Sequence, residues 1–250
     1  APPNGIKPGK MKNKVKNPAV VIFKREFAAY FASPIAYIVT GLFLILAGTM
    51  FFTAFYLQNR ASMRNLFQML PLILSFFIPA LTMRVYAEEK RVGSIETLYT
   101  LPVTEFDVAA GKFLATFAAS AIMIAPTLLY LFGMLPFGAP DAGPVAGGYI
   151  GALFLCAAFS AIGIFASSIT KNQIISFFTA FIICISLTMV SDFLIFLPAP
   201  IVGFLQFLSA NEHFTSISRG IIDSRDIIYF VSLTALFFSL TVVTQEKEAR

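Results

Sequence analysis

The densest set of reactive side chains lies between Arg84 and Thr104, where Glu88, Glu89 and Glu96 are interspersed with Arg84, Lys90 and Arg91. Carboxylates at this spacing can trade protons, hold a hard cation or dock on a basic partner. Proton chemistry would need a nucleophile close by, yet the segment has no cysteine or histidine, and His213 is the only histidine in the chain. Cys156 and Cys184 stand alone in apolar runs and read as small buried hydrophobes. No G-x-x-x-x-G-K-[ST] motif occurs, and the glycine-rich run 143–151 contains no lysine. Catalytic, cofactor and metal sites are therefore not expected in this chain. If Glu88–Tyr99 forms a short helix stopped by Pro102, its polar points Glu88, Glu89, Arg91 and Glu96 share a surface with Ile95, Leu98 and Tyr99. Such a helix could pass a rigid-body push to whatever it joins. From charge alone, a solvated loop is the plainer reading.

The elements around this segment follow from composition. Of 250 residues, 58% are hydrophobic and 12% are charged, about half the charge of a soluble domain. Apolar stretches at 35–57, 66–83, 113–136, 145–168, 174–197 and 227–244 each approach the roughly 20 residues that cross a bilayer. The predicted fold is thus all-α and integral to the membrane, with six transmembrane helices. None of the stretches resembles a cleavable signal peptide. Ser33-Pro34 supplies a cap and a first-turn proline for the first span. Thr104-Glu105-Phe106-Asp107 is a capping-box variant ahead of the third, and Ser224 is expected to cap the last, with Asp226 near its positive end. Pro71, Pro79 and Pro126 fall inside spans and should kink them. Gly147-x-x-x-Gly151 permits close helix approach. Asp192, the one ionisable group within the spans, reads as interfacial, so the membrane region has no evident energy source of its own.

Lysine and arginine set the orientation. The segments 1–34, 84–112 and 169–173 and the tail carry fourteen, against Arg60, Arg64, Arg219 and Arg225 on the other side. Both termini and the acidic segment are therefore expected in the cytoplasm. Residues 1–18 read as a flexible basic tail, in which Met11 is a candidate start that would leave 1–10 as an extension. Ala19–Ser33 reads as an amphipathic helix on the membrane surface, with Phe23 and Phe27 on the apolar side and Lys24, Arg25 and Glu26 opposite.

Several patterns together closely resemble permeases of the ABC-2 type. They are Pro79-Ala-Leu-Thr-Met-Arg84, Ala87-Glu-Glu-x-Arg91-x-Gly93-x-Ile95-Glu96-x-Leu98-x-x-Leu101-Pro102-Val-Thr, Gly111-Lys112-Phe113, Ala161-Ile-Gly163 through Asn172-Gln173, and His213-Phe214 through Tyr229-Phe. With Ser33-Pro34-Ile35-Ala36-Tyr37 they look most like the gliding-motility-associated branch, also found in bacteria that do not glide. The resemblance runs from about Phe23 to the end.

It implies a six-helix subunit of the bacterial inner membrane that pairs with a second membrane subunit and sits on two copies of a cytoplasmic ATPase. ATP and magnesium would be bound by that partner. In this branch the second subunit often has a large extracytoplasmic domain, so the pair could be a homo- or a heterodimer. By position, Glu88, Glu89, Arg91, Gly93, Glu96 and Leu98 would form a coupling helix that docks on the ATPase, with Pro102 turning the chain into the third span. Ala19–Ser33 matches the family's interfacial helix, and 198–224 its short re-entrant extracytoplasmic helices. There His213, Arg219 and Asp223 are expected to be structural, with an Arg219–Asp223 pair one turn apart. The alternative is a mechanical or regulatory module working on an extracytoplasmic partner. A passive channel or scaffold would leave the acidic segment without a role. Lipid is the surrounding solvent and nucleic acid is not expected as a partner.

Overall fold

Apolar runs too long for a soluble core become helices because lipid offers no partner for a bare peptide group. In the computed structural model, described over residues 17–58, 62–94, 103–138, 141–192, 199–221 and 223–249, the described residues hold no strand. In chain order, α1 covers Pro18–Ala32, α2 Pro34–Gln58, α3 Arg64–Thr82 and α4 Ala87–Val92. Then come α5 over Glu105–Ile124, a 3-10 turn at Ala125–Leu128, α6 at Leu129–Met134 and a second 3-10 turn at Leu135–Phe137. The chain continues through α7 at Ala142–Ser168, α8 at Gln173–Met189, α9 at Ala199–Leu208, α10 at Ala210–Ser218 and α11 at Ser224–Ala249.

Among the described residues, five stretches are long and apolar enough to cross a membrane: Pro34–Leu57, Arg64–Val92, Glu105–Met134, Ala142–Ser168 and Ser224–Glu248. The stretch expected at 174–197 appears as the 17-residue α8, about 25 Å long at 1.5 Å per residue and so short of a ~30 Å hydrocarbon core. Its expected end, 193–197, lies outside the described residues, as do 1–16 of the basic tail.

The centre of the bundle is α3 against α7. Phe67, Leu70, Leu74 and Ile78 of α3 and Leu155, Phe159 and Ile162 of α7 are buried together, with Phe43 and Phe51 of α2 closing one flank. Pro71 and Pro79 sit inside an α3 that stays helical throughout. Pro126 falls where α5 gives way to the 3-10 turn, because its ring removes a donor and crowds the preceding carbonyl. Thr104 caps α5 as expected: its Oγ1 accepts from the Asp107 amide at 3.1 Å and donates to the Asp107 carboxylate at 2.7 Å.

Gly147 and Gly151 lie on the face of α7 that meets α10. A Cβ at Gly147 would stand 2.3 Å from the Ile217 carbonyl oxygen, and one at Gly151 3.3 Å from Phe214 and Ile217. At this end α11 is capped differently from the expectation. Asp223 Oδ1, not Ser224, accepts the Arg225 amide at 3.1 Å. That carboxylate makes no ion pair with Arg219 among the described residues.

Candidate functional site

The opposite end of the bundle gathers most of the charge, and Lys112 is its centre. Two turns into α5, this side chain is fully buried. Its ammonium donates to Val85 O at 2.8 Å and to Glu26 Oε1 at 3.3 Å, and it pairs ionically with Glu89 Oε2 at 2.9 Å. The Tyr86 ring lies 4.8 Å away and adds its negative face. Arg25 then bridges the same two acids, at 2.7 Å to Glu26 and 3.1 Å to Glu89. Glu26 holds the Arg25 guanidinium above its ordinary value, even though partial burial opposes the charge. Together these contacts join α1, α4, α5 and the turn between α3 and α4.

The position of Glu26 differs from the sequence expectation. Instead of lying on the wet side of α1, it turns towards α5, because a cation buried there demands a counter-charge. The buried hydrophobic residue of α1 is Ile22, packed with Val85, Tyr86 and Val108. Along α1, Phe23 stacks on Phe27 with centroids 5.5 Å apart and Phe27 meets Phe31 edge to face at 5.0 Å, and Val20 and Phe31 stay exposed. Gly111 makes this docking possible, since a Cβ there would lie 2.8 Å from the Ala19 carbonyl oxygen and from Ile22.

A second group of contacts fixes α4 itself. Ser167, at the end of α7, accepts from the amides of Tyr86 and Ala87, both at 3.0 Å, and donates to Met83 O at 3.1 Å. One hydroxyl thereby holds the whole turn into α4. Glu88 accepts from Arg84 at 3.3 Å, from Arg91 at 3.0 Å and from the Gln173 amide at the start of α8. Desolvation pushes its carboxyl up, but the Arg91 hydrogen bond and the Arg84 charge outweigh this and hold it below the ordinary carboxylate value. Arg84 also donates to Ser33 Oγ at 3.3 Å, between α1 and α2. Lys90 is buried, donates to Ser168 O and pairs with Glu248 of α11 at 2.5 Å. Gly93, with φ of 79°, ends α4 in a left-handed conformation that a side chain would resist.

The carboxylates of Glu88 and Glu89, read from sequence as outward docking points, are thus spent largely on the chain's own cations. What α4 presents outward is Arg91 and Val92, with 63% and 68% exposure. Glu96, Leu98 and Pro102 lie outside the described residues. Sequence reasoning assigned no role to Lys112, Lys90, Ser167 or Glu248, whose partners stand 78 or more residues away except where Lys112 meets Val85, Tyr86 and Glu89. A lysine entering an apolar helix was the available signal for Lys112.

At the far end, His213 is held between Asp226 Oδ1, 2.7 Å from Nδ1, and Phe207 O, 3.0 Å from Nε2. It stacks on Tyr229 at 4.2 Å. Both ring nitrogens thus have a partner, and the imidazole is held at both ends. This pair ties α10 to α11 and the end of α9, while Arg219 and Asp223 remain exposed.

No curated protein matches the chain. The family model described as ABC-2 family transporter protein matches residues 20–209, which include most of α1 and all of α4, with Lys112, Ser167 and Gln173. The family model covers most of the chain, and several apolar helices of spanning length accompany it, so this multi-pass membrane protein belongs to the ABC-2 family of transporter proteins.

Proposed function

We propose that the chain is the permease subunit of an ATP-driven ABC-2 exporter, of the gliding-motility-associated kind, moved by a separate cytoplasmic ATPase. One observation carries the reading: six-residue α4 is tied by ion pairs and hydrogen bonds to α1, α5, α7, α8 and α11, all at one end of the bundle. A push on α4 would reach all of them as a unit. ATP and magnesium would be bound by two copies of the ATPase, and this chain would contribute no catalytic group. It would pair with a second membrane subunit, identical or different, in the bacterial inner membrane. The charge asymmetry supports cytoplasmic termini. The Phe23–Phe27–Phe31 face of α1 would lie against lipid.

In this arrangement Glu88 and Glu89 brace the elbow from within. The docking surface is Arg91, Gly93 and the segment that follows, with Glu96 and Leu98 as its contacts and Pro102 at its end. Co-purification with the candidate ATPase tests this. Arg91→Glu and Glu96→Lys are expected to weaken the complex or to uncouple ATP turnover from the membrane subunit. Full assembly and full stimulated turnover in both variants would remove the elbow from the coupling path.

A further inference from the structure

Behind α4, a cavity of about 230 Å³ opens between α1, the start of α2 and the end of α3. It is smaller than the roughly 300–1,000 Å³ that encloses a whole drug-sized ligand, so it suits one end of a longer molecule. Its wall is mostly apolar, with Ala29, Ala36 and Leu81 among the lining residues, and its polar end carries Arg84 with Glu26, Glu88 and Glu89, the last two already paired with Arg84, Arg91, Arg25 and Lys112. Two valences there are uncommitted. Arg84 uses Nε and Nη1 on Glu88 and Ser33, and Nη2 has no partner among the described residues. Glu26 uses Oε1 on Arg25 and Lys112, and Oε2 has none among the described residues.

An anion would seat on the free guanidinium donors and an ammonium on the free carboxylate oxygen, while an aliphatic chain would follow the apolar wall. From this we infer that the cavity binds a single amine-bearing phospholipid. The phosphate meets Arg84, the primary ammonium meets Glu26, and one acyl chain lies over Ala29, Ala36 and Leu81. A quaternary headgroup has no N–H to donate, and a glycerol headgroup has no positive charge to offer Glu26, so both should bind more weakly. The exposed apolar side chains nearby, Phe31, Tyr37 and Ile38, place the mouth beside lipid rather than open solution. The inference does not depend on the ATPase.

Native mass spectrometry of the purified full chain tests it, with dioleoyl phosphatidylethanolamine, phosphatidylcholine and phosphatidylglycerol added in turn, and free phosphoethanolamine as a fourth probe. One phosphatidylethanolamine per chain is expected to be retained, with the other two lipids about tenfold or more weaker, the worth of one charge-assisted hydrogen bond. Free phosphoethanolamine should bind more weakly still. Ala36→Phe, or Ala29→Leu should the first not fold, fills the cavity and should abolish the preference. Equal retention of the three lipids, a preference that survives filling, or free phosphoethanolamine binding as well as the lipid would overturn the assignment. The lipid comparison on the unaltered chain decides even if neither variant folds.

Discussion

Lys112 illustrates how a full charge is kept inside an apolar bundle. Hydrogen bonds to Val85 O and Glu26 and an ion pair with Glu89 surround its ammonium, and Arg25 neutralises the surplus carboxylate on the wet side. Breaking such a pair from one side strands the other charge, typically at about 3–5 kcal/mol, whereas removing both sides costs far less. Lys112→Met is therefore expected to lower stability in detergent towards that amount, because Glu26 and Glu89 then share Arg25 alone as counter-charge. Adding Glu89→Gln to Lys112→Met should recover part of the loss, a coupling that denaturant titration of the single and double variants reads directly. Strict additivity would mean that the two side chains do not interact. The acids at 88–96 were legible in the sequence because they cluster. Arg84 and Arg91 lie within a turn of Glu88, but Arg25 and Gln173 do not, and pairing across 64 or 85 residues leaves no local signature. Glu26 shows the same limit, because periodicity places it on the polar side of α1 and only the buried lysine draws it inward.

Helix by helix, length and apolarity located five spans to within a few residues at most ends, and the Thr104 capping box marked the start of α5. Those features are local, so the sequence carries them. What it could not carry is which helices touch. The tightest seam on the charged side is α1 against α5, and a glycine sets its separation. Gly111→Val would place a Cβ within 2.8 Å of the Ala19 carbonyl oxygen and of Ile22, contacts that only a shift of α1 relieves. Hydrogen exchange should then rise over residues 18–32, while α3 and α7, whose core α1 touches only through Tyr30, keep most of their protection. Unchanged exchange in α1 would show that it can seat without this close approach. The His213–Asp226 pair is the other seam that spacing misjudged. Asp223 lies one turn from Arg219 but caps α11, and Asp226, three residues on, turns inward.

Taken as one body, the molecule is asymmetric: a lipid-facing bundle with a knot of ion pairs at one end. The knot joins the second span to the last through Lys90 and Glu248, so motion at α4 and motion of α11 are linked through 2.5 Å of contact rather than through the long path of the chain. If α4 must move relative to α11 during a transport cycle, this pair has to open; if the two move together, it can stay closed. Lys90→Cys with Glu248→Cys, joined by a short cleavable bis-reactive reagent, separates the cases. The rigid knot described here favours joint motion, so the cross-linked chain is expected to keep ATPase-stimulated turnover near that of the unlinked double variant. Loss of turnover on linking, restored by cleaving the bridge, would show instead that the elbow works by parting from α11. The force would then pass through α1 and α5, where Glu26, Glu89 and Lys112 still hold it.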